Sequence, residues 1–282
     1  MTTPPPAMIF GCGYLGTVVA NMLLAQGRTV YALTRSRTAE LQAIGIAPIV
    51  GDVLDRESLK PLADLPTPGL VVYCVGYDRR AGRSMYEVYT DGVANASTCG
   101  MAPNAWVYIS STSIYGQTDG SQVDEESPTQ PLEESGRILL AAECNLWANQ
   151  PSATVLRFAG IYGPGRVLRR EALLRGDPLT IDPDKHLNLI HVEDGARVIL
   201  AAEHGTAPRG ETFNICDDTP SSRRAIYTET ARLLHAPPAN FLPPSNRTAE
   251  ADRRISNAKA KRVLGWAPRY PSYREGLAAS LS

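Results

Sequence analysis

The stretch Met8-Ile9-Phe10-Gly11-Cys12-Gly13-Tyr14-Leu15-Gly16 joins a short apolar run to an amphipathic segment near the start of the chain. In a G-x-G-x-x-G turn, Gly11 permits the tight bend, Gly13 lets backbone approach a pyrophosphate, and Gly16 lets the helix pack closely on the strand. Tyr14 and Leu15 then open a helix whose N-terminal N–H groups attract phosphate. The turn therefore predicts a dinucleotide-binding site between a first strand and a first helix.

Strand and helix patterns alternate through the first half of the chain. Apolar, β-branched runs predict strands, and segments with apolar residues at helical spacing lie between them. This β-α-β-α order predicts an α/β protein with a Rossmann-type, doubly wound parallel sheet. The predicted strands are 7–10, 29–34, 48–50, 70–75, 105–110 and 153–158, and the predicted helices are 15–26, 39–44, 56–62, 85–102 and 132–149.

The pattern loosens after Gly165, where Gly/Pro-rich stretches become frequent. We expect residues 1–165 to form an NAD(P)-binding Rossmann domain and residues 166–282 to form mainly a smaller C-terminal substrate lobe. A helix at 192–204 and a strand at 212–215 are expected to return to the main sheet, so that about 188–216 belongs to the Rossmann domain.

Composition excludes several classes of function. The 282 residues carry a net charge of −1 and are 43% hydrophobic, which gives no basic surface for nucleic acid and no apolar run long enough for a membrane span. Five cysteines without Cys-x-x-Cys spacing and four histidines without ligand spacing predict no metal site. Because no signal peptide is recognisable, a cytoplasmic location is expected.

The end of the second predicted strand indicates which dinucleotide is bound. A site for NAD carries an acid here for the ribose 2′-hydroxyl, whereas this chain has Thr34, Arg35 and Ser36. Those side chains can hydrogen-bond and pair with a 2′-phosphate, so NADP(H) is favoured and NAD(H) is the alternative. The other residues expected to line the cofactor site follow the third and fourth strands and are Asp52, Val53, Val75 and Gly76.

Several segments together resemble the extended short-chain dehydrogenase/reductase superfamily, the group of NAD(P)-dependent epimerases and dehydratases. They occur in family order across nearly the whole chain, which implies the Rossmann-type fold. Besides the glycine turn, they are 107–116 (VYISSTSIYG), 156–165 (LRFAGIYGPG), 190–194 (IHVED), 212–215 (TFNI) and 264–268 (LGWAP).

The catalytic pattern of that superfamily is incomplete. Its enzymes use a Ser/Thr together with a Tyr-x-x-x-Lys pair on one helix face, where the lysine lowers the pKa of the tyrosine. Ser111 matches the first position, but the tyrosine position is Ser135 and the lysine position is Leu139. None of the twelve tyrosines has a lysine four residues later. The chain thus resembles the atypical branch of the superfamily, and Tyr89 also stands where an asparagine is common.

Other residues in the family motifs are candidates for the missing chemistry. Tyr115 is a catalytic candidate beside Ser111, and each candidate could equally be a packed structural residue. The resemblance implies a small-molecule substrate, with sugar nucleotides the commonest class, and a homodimer paired through the helices at 85–102 and 132–149. The candidates for substrate contact are Tyr77, Tyr162, Arg157 and His191.

Two functions compete on this sequence. One is an NADP(H)-dependent oxidoreductase or epimerase-like enzyme with a replaced proton donor, which the retained Ser111 favours. The other is a non-catalytic NADP(H)-binding redox sensor or partner-binding protein, which the replacement of both dyad residues favours.

Overall fold

A computed structural model describes residues 4–204, 210–244 and 250–281. Its centre is a seven-stranded sheet, ordered β12-β7-β5-β4-β1-β2-β3, in which every pair of neighbours is parallel. This order confirms the predicted doubly wound sheet. The described strands are, in chain order, β1 (Ala7–Phe10), β2 (Val30–Thr34), β3 (Ala47–Val50), β4 (Leu70–Tyr73), β5 (Ala105–Ser111), β6 (Ser121–Val123), β7 (Thr154–Phe158), β8 (Gly160–Tyr162), β9 (Leu179–Thr180), β10 (His186–Leu187), β11 (Leu189–His191), β12 (Thr212–Ile215), β13 (Ser221–Ser222), β14 (Phe241–Leu242) and β15 (Arg253–Ile255).

Helices cover both faces of the sheet because successive strand residues point to opposite sides. Ala7 and Ile9 pack with α1 and α7, whereas Met8 and Phe10 pack with α4 and α5. The described α-helices are α1 (Tyr14–Ala25), α2 (Thr38–Ala43), α3 (Arg56–Leu59), α4 (Gly92–Ser97), α5 (Glu134–Asn149), α6 (Arg170–Arg175), α7 (Val192–His204), α8 (Arg223–Leu233), α9 (Ala258–Leu264) and α10 (Tyr273–Leu281). None of them is long and apolar enough to cross a bilayer.

The helix predicted at 85–102 is shorter and less regular than expected. It starts at Met85, widens into a π-helical turn at Glu87–Asp91 and ends with α4 at Ser97. The Tyr73 hydroxyl of β4 donates to the Val88 carbonyl oxygen at 3.2 Å. The π-helical turn thus occurs where a side chain from another element forms a hydrogen bond with a helix carbonyl oxygen.

The second half of the chain contributes to two places. β12 pairs with β7 in the central sheet, and α7 packs against α1. The last part of the chain also packs there, since Ala260 and Leu264 of α9 and the following Trp266 are buried in the same core. The sequence did not predict this second return. The remaining elements form a smaller lobe around a separate core that includes residues of α6, α8 and α10.

Candidate functional site

A cavity of about 710 Å³ lies at the edge of the central sheet where its parallel strands end. The glycine turn, the segments that follow β2, β3 and β4, the end of β5 and the β7–β8 junction all contribute to its walls. From β1 the chain adds β2 and β3 on one side of the sheet, and β4, β5, β7 and β12 on the other. The crevice between β1 and β4 is therefore the switch point where such sheets bind ligands.

The three glycines of the turn have different structural roles. Gly11 has φ +90°, and a Cβ there would lie 2.6 Å from the Cys74 carbonyl carbon and oxygen. A Cβ on Gly16 would lie 2.5 Å from the Gly11 oxygen, whereas one on Gly13 would meet nothing within 4 Å. Gly11 and Gly16 therefore allow close packing. Gly13, which caps α1 without a side-chain hydrogen bond, leaves the helix N-terminus open to the cavity.

The loop after β2 carries positive charge and no acid at the ribose position. The Thr34 hydroxyl oxygen accepts the N–H groups of Ser36 and Arg37, at 3.4 and 2.9 Å. The Arg37 guanidinium donates to the Cys12 carbonyl oxygen at 2.8 Å, which fastens this loop to the glycine turn. Arg35, about half exposed, lies 3.8 Å from the Asp78 carboxylate. Thr34 therefore shapes the loop, and Arg35, Ser36 and Arg37 are its exposed polar groups.

The loop after β3 forms the neighbouring part of the wall. The Asp52 carboxylate accepts the Leu54 N–H at 2.9 Å, and the Asp52 N–H donates to the Ser58 hydroxyl oxygen at 3.0 Å. Asp52 thus holds a turn as well as lining the cavity. The predicted cofactor residues that line the cavity are Gly11, Gly13, Tyr14, Leu15, Thr34, Arg35, Ser36, Asp52, Val53, Val75 and Gly76, whereas Gly16 lies beneath it.

The opposite end of the cavity holds the residues expected to do chemistry. The Ser111 hydroxyl oxygen accepts the Ser113 N–H at 3.1 Å, which leaves the serine proton free to point into the cavity. Leu139, assigned from the sequence to the lysine position, lines the same space, whereas Ser135 is not among the lining residues. Leu139 gives this cavity an apolar side chain.

Tyr115 and Arg157 lie outside the cavity, in a buried polar network. The Arg157 guanidinium donates to both Glu143 carboxylate oxygens and, at 2.8 Å, to the Tyr115 hydroxyl oxygen. The Tyr115 hydroxyl donates to the Asn214 side-chain oxygen at 3.0 Å, and burial raises the Tyr115 pKa. With Tyr115 1% and Arg157 6% exposed, the structure does not present either to a ligand in the cavity.

Tyr162 and His191 lie in the interior between the sheet and the smaller lobe. Their rings meet edge to face at 5.4 Å, and neither lines the cavity. Burial lowers the pKa of His191 and raises that of Tyr162. Nearby, the Asp194 carboxylate accepts the N–H groups of Arg269 and Tyr270, at 2.7 and 2.9 Å, so that it anchors the chain before α10.

The cavity also contains residues that the sequence did not single out as site residues. Arg166 places its guanidinium 5.4 Å from the centre of the Tyr14 ring, and the Tyr14 hydroxyl donates to the Pro164 carbonyl oxygen at 3.1 Å. Arg83 lines the same space, as does Tyr89. The sequence could have indicated Arg166, because it directly follows Gly163-Pro164-Gly165. That segment brings the chain back to the glycine turn.

The residues present fit a nicotinamide dinucleotide. An open helix N-terminus and a basic loop can hold its phosphates, and an exposed serine hydroxyl at the other end can polarise a substrate oxygen. In the described part of the chain, no group of His, Cys, Asp or Glu side chains could hold a metal ion.

The sheet and its cavity define a dinucleotide-binding protein of the Rossmann type. The chain belongs to the NAD dependent epimerase/dehydratase family, whose model matches residues 7–216. It is 29% identical over 279 residues to the protein YeeZ of Escherichia coli K12, covering 93% of this chain and 95% of the relative. It is 25% identical over 296 residues to the 3-diazoavenalumate denitrifying reductase of a Streptomyces species, covering 94% and 96%.

A solved structure shows the same fold. The UDP-glucose 4-epimerase of Thermotoga maritima with UDP-glucose superimposes with a TM-score of 0.82 at 19% identity, covering 98% of this chain and 97% of that one. Family membership makes a nicotinamide dinucleotide the cofactor class, and epimerases and reductases are both among the relatives.

Proposed function

We propose that this protein is an NADP(H)-dependent reductase of the epimerase/dehydratase type that works without a Tyr-x-x-x-Lys pair. The observation that carries the proposal is the continuity of the cavity, which runs from the acid-free loop at Arg35, past the N-terminus of α1, to Ser111. One extended dinucleotide could therefore reach both the basic loop and the serine.

The preference for NADP(H) over NAD(H) rests on charge. Arg35 and Ser36 are exposed at the end of β2, and Asp78 is the acidic group that pairs with Arg35, at 3.8 Å. An ion pair this open is worth little, so the guanidinium can exchange the carboxylate for a doubly charged phosphate. Arg37 also lies beside the glycine turn, and its guanidinium is paired with the exposed Glu40 carboxylate at 2.5 Å.

Reduction suits the site better than epimerisation. An epimerase of this type must first remove a hydroxyl proton from its substrate, and neither Ser135 nor Leu139 can act as the base. In the reducing direction, NADPH supplies a hydride when bound, and the chain needs only to polarise the acceptor oxygen and provide a proton. Ser111 can do the first, because among the described residues its hydroxyl accepts the Ser113 N–H and donates to no acceptor.

The substrate class we propose is a small carbonyl compound with an anionic portion. Arg83 and Arg166 line the cavity, and both are exposed. Their charge suits a diphosphate, and the T. maritima structure of the same fold contains UDP-glucose. A keto sugar nucleotide is therefore the first candidate.

Binding and turnover test the proposal in sequence. Fluorescence titration of the whole protein should give a Kd for NADPH at least tenfold below that for NADH. A panel of keto sugar nucleotides, aldehydes and ketones should then oxidise bound NADPH, and Ser111→Ala should lower kcat while leaving the Kd for NADPH unchanged. Equal affinity for the two cofactors would contradict the charge argument.

A second function is favoured by Leu139 alone. An apolar residue at the position of the family's catalytic lysine leaves the site without the ammonium group that most enzymes of the family need. If NADPH binds tightly and the panel gives no turnover, the protein is a dinucleotide-binding module without catalysis, and the reductase proposal is wrong.

A further inference from the structure

Three tyrosines line the cavity, and their hydroxyl groups differ in how they are held. The Tyr14 hydroxyl already donates to the Pro164 carbonyl oxygen. Tyr77 lies in the irregular segment after β4. Tyr89 lies in the helix before β5, within the π-helical turn Glu87–Asp91. A π-turn inside a helix is frequent at functional sites because it re-aims a side chain without ending the helix.

The ring of Tyr89 is fixed by packing on two sides. It contacts the core cluster beneath the sheet, which contains Tyr73 and Tyr108, and also the cluster that contains Leu139 and Ile114. The π-helical turn packs against α5, and both Tyr89 and Leu139 line the cavity.

The hydroxyl of Tyr89 is oriented by a backbone group. Its oxygen accepts the Tyr77 N–H at 3.2 Å, and among the described residues no protein acceptor takes its own proton. An N–H bond to a phenol oxygen stabilises the negative charge that appears as the proton leaves. Tyr89 thus combines a proton that no described acceptor takes, a packed ring and a hydroxyl oriented by a backbone N–H.

We propose that Tyr89 is the proton donor of this active site, in the place of the absent Tyr-x-x-x-Lys pair. The inference rests on the proposed reductase function. In the step, a C–H bond forms at the substrate's carbonyl carbon with the hydride that NADPH supplies, and the π electrons of the C=O bond move to oxygen. The Tyr89 O–H bond breaks, its proton goes to that oxygen, and the phenolate regains a proton from water at the open mouth of the cavity.

Ser111 and Tyr89 have separate tasks in this arrangement. Ser111 donates a hydrogen bond that holds the carbonyl oxygen, and Tyr89 transfers its proton to the same oxygen. The transfer is favourable because a phenol is a much stronger acid than the alcohol that forms.

A pair of matched variants tests the role. Tyr89→Phe removes the hydroxyl group of the proposed donor and keeps the Tyr77 N–H. The matched control, Tyr86→Phe, removes one hydroxyl group from the same helix at an exposed position that does not line the cavity. With NADPH and either 4-nitrobenzaldehyde or phenanthrene-9,10-quinone as the probe, Tyr89→Phe should lower kcat about 100-fold or more, as loss of general acid catalysis does. The Kd for NADPH should stay within twofold, and Tyr86→Phe should lower kcat less than threefold.

The solvent isotope effect separates proton donation from a structural role. In D₂O the wild type and Tyr86→Phe should turn over about twofold more slowly, and the residual turnover of Tyr89→Phe should lose this dependence. If Tyr89→Phe keeps more than a third of the wild-type kcat with an unchanged isotope effect, Tyr89 is not the donor, although the reductase function stands. If the wild type binds NADPH and reduces neither probe nor any keto sugar nucleotide, both the function and the donor are wrong.

Discussion

Arg35 is the residue on which the cofactor preference depends. Arg35→Ala should raise the Kd for NADPH about tenfold, at the lower end of the ~1.5–3 kcal/mol that charge-assisted hydrogen bonds contribute, because the side chain is half exposed. The Kd for NADH should change less than twofold, since NADH lacks the 2′-phosphate. Arg79→Ala is the matched control, an exposed arginine on the neighbouring rim that does not line the cavity. If Arg35→Ala weakened the binding of NADPH and NADH equally, the effect would be one of overall charge and not of the 2′-phosphate.

Asp217 makes stability depend on pH. Burial, followed by the nearby charges of Asp218, Glu275 and Asp194, raises its pKa from 3.8 to about 8. The folded state therefore keeps this proton to higher pH than the unfolded state, and the free energy of unfolding falls as pH rises from about 4 to about 8. Urea unfolding at pH 5, 6.5 and 8 should show a shallower fall in Asp217→Asn. Asp64→Asn, at an exposed position, should keep the wild-type slope.

The residues of the candidate site were predictable where backbone geometry identifies them. The glycine turn and the residues directly after β2, β3 and β4 reach the cavity because parallel strands all end at one edge. Tyr115 and Arg157 belong to family motifs as well, yet their partners are Asn214 and Glu143, far away in sequence. Burial by such distant neighbours has no signal in a local motif.

At the scale of single elements, the junction of β1 and α1 allows packing and ligand binding to be separated. Gly13→Ala should change the free energy of unfolding by less than ~0.5 kcal/mol, because the added methyl group meets no protein atom. The same methyl group should weaken NADPH binding at least tenfold, because it occupies the path of the pyrophosphate. Thermal unfolding and fluorescence titration of one preparation measure both quantities.

Gly16→Ala, in contrast to Gly13→Ala, should act mainly on the free energy of unfolding. Alanine is the better helix former by about 1 kcal/mol, but its Cβ would lie 2.5 Å from the Gly11 oxygen. Overpacking of this kind costs about 1–3 kcal/mol, so the variant should be less stable than the wild type. A Gly16→Ala protein as stable as the wild type would mean that the turn has room to move.

The helix around Tyr89 shows what periodicity leaves out. The amphipathic pattern predicts one regular helix over 85–102. It indicates neither the irregular turn nor the earlier end of the helix. The π-turn accompanies a contact from another element, the Tyr73 hydroxyl on the Val88 carbonyl oxygen. The helix then ends at Ser97, before Gly100 at φ +91°. Long-range side-chain contacts of this kind are set by the fold and are absent from the local sequence.

Across the whole molecule, one buried network connects the carboxyl ends of three sheet strands. Ser110 of β5 and Arg157 of β7 both bond Glu143 of α5, which is fully buried. Through Tyr115 the network reaches Asn214 of β12, whose N–H donates to the Glu125 carboxylate at 2.6 Å. Strand order and helix packing are thus fixed at the same place.

Arg157→Met should lower the free energy of unfolding by about 3–5 kcal/mol, because it leaves the Glu143 carboxylate buried without its cation. The double variant Arg157→Met, Glu143→Met should regain more than half of that loss. The NADPH affinity of whatever remains folded should be unchanged. A drop in affinity with normal stability would instead support a role for Arg157 in ligand contact, as expected from the sequence.

The doubly wound parallel sheet was predictable from alternation, whereas the path of the C-terminal third was not. Trp266 and the residues of α9 lie in the main core, although their segment has the irregular composition of the lobe. Which core a short helix joins depends on the surface that the rest of the chain leaves open. That surface exists only after folding, so a single sequence does not display it.

The ion pair between Arg35 and Asp78 has a consequence for how fast the cavity fills. The two residues follow β2 and β4, the neighbours of β1 in the sheet, and both line the cavity. Each is about half exposed, so the pair holds the guanidinium at the cavity wall at little cost and in reach of water. An arriving dinucleotide then meets a cation already in position, and its capture is an exchange of counter-ions. The association rate constant should therefore fall as salt screens that encounter, while the dissociation rate constant stays nearly constant.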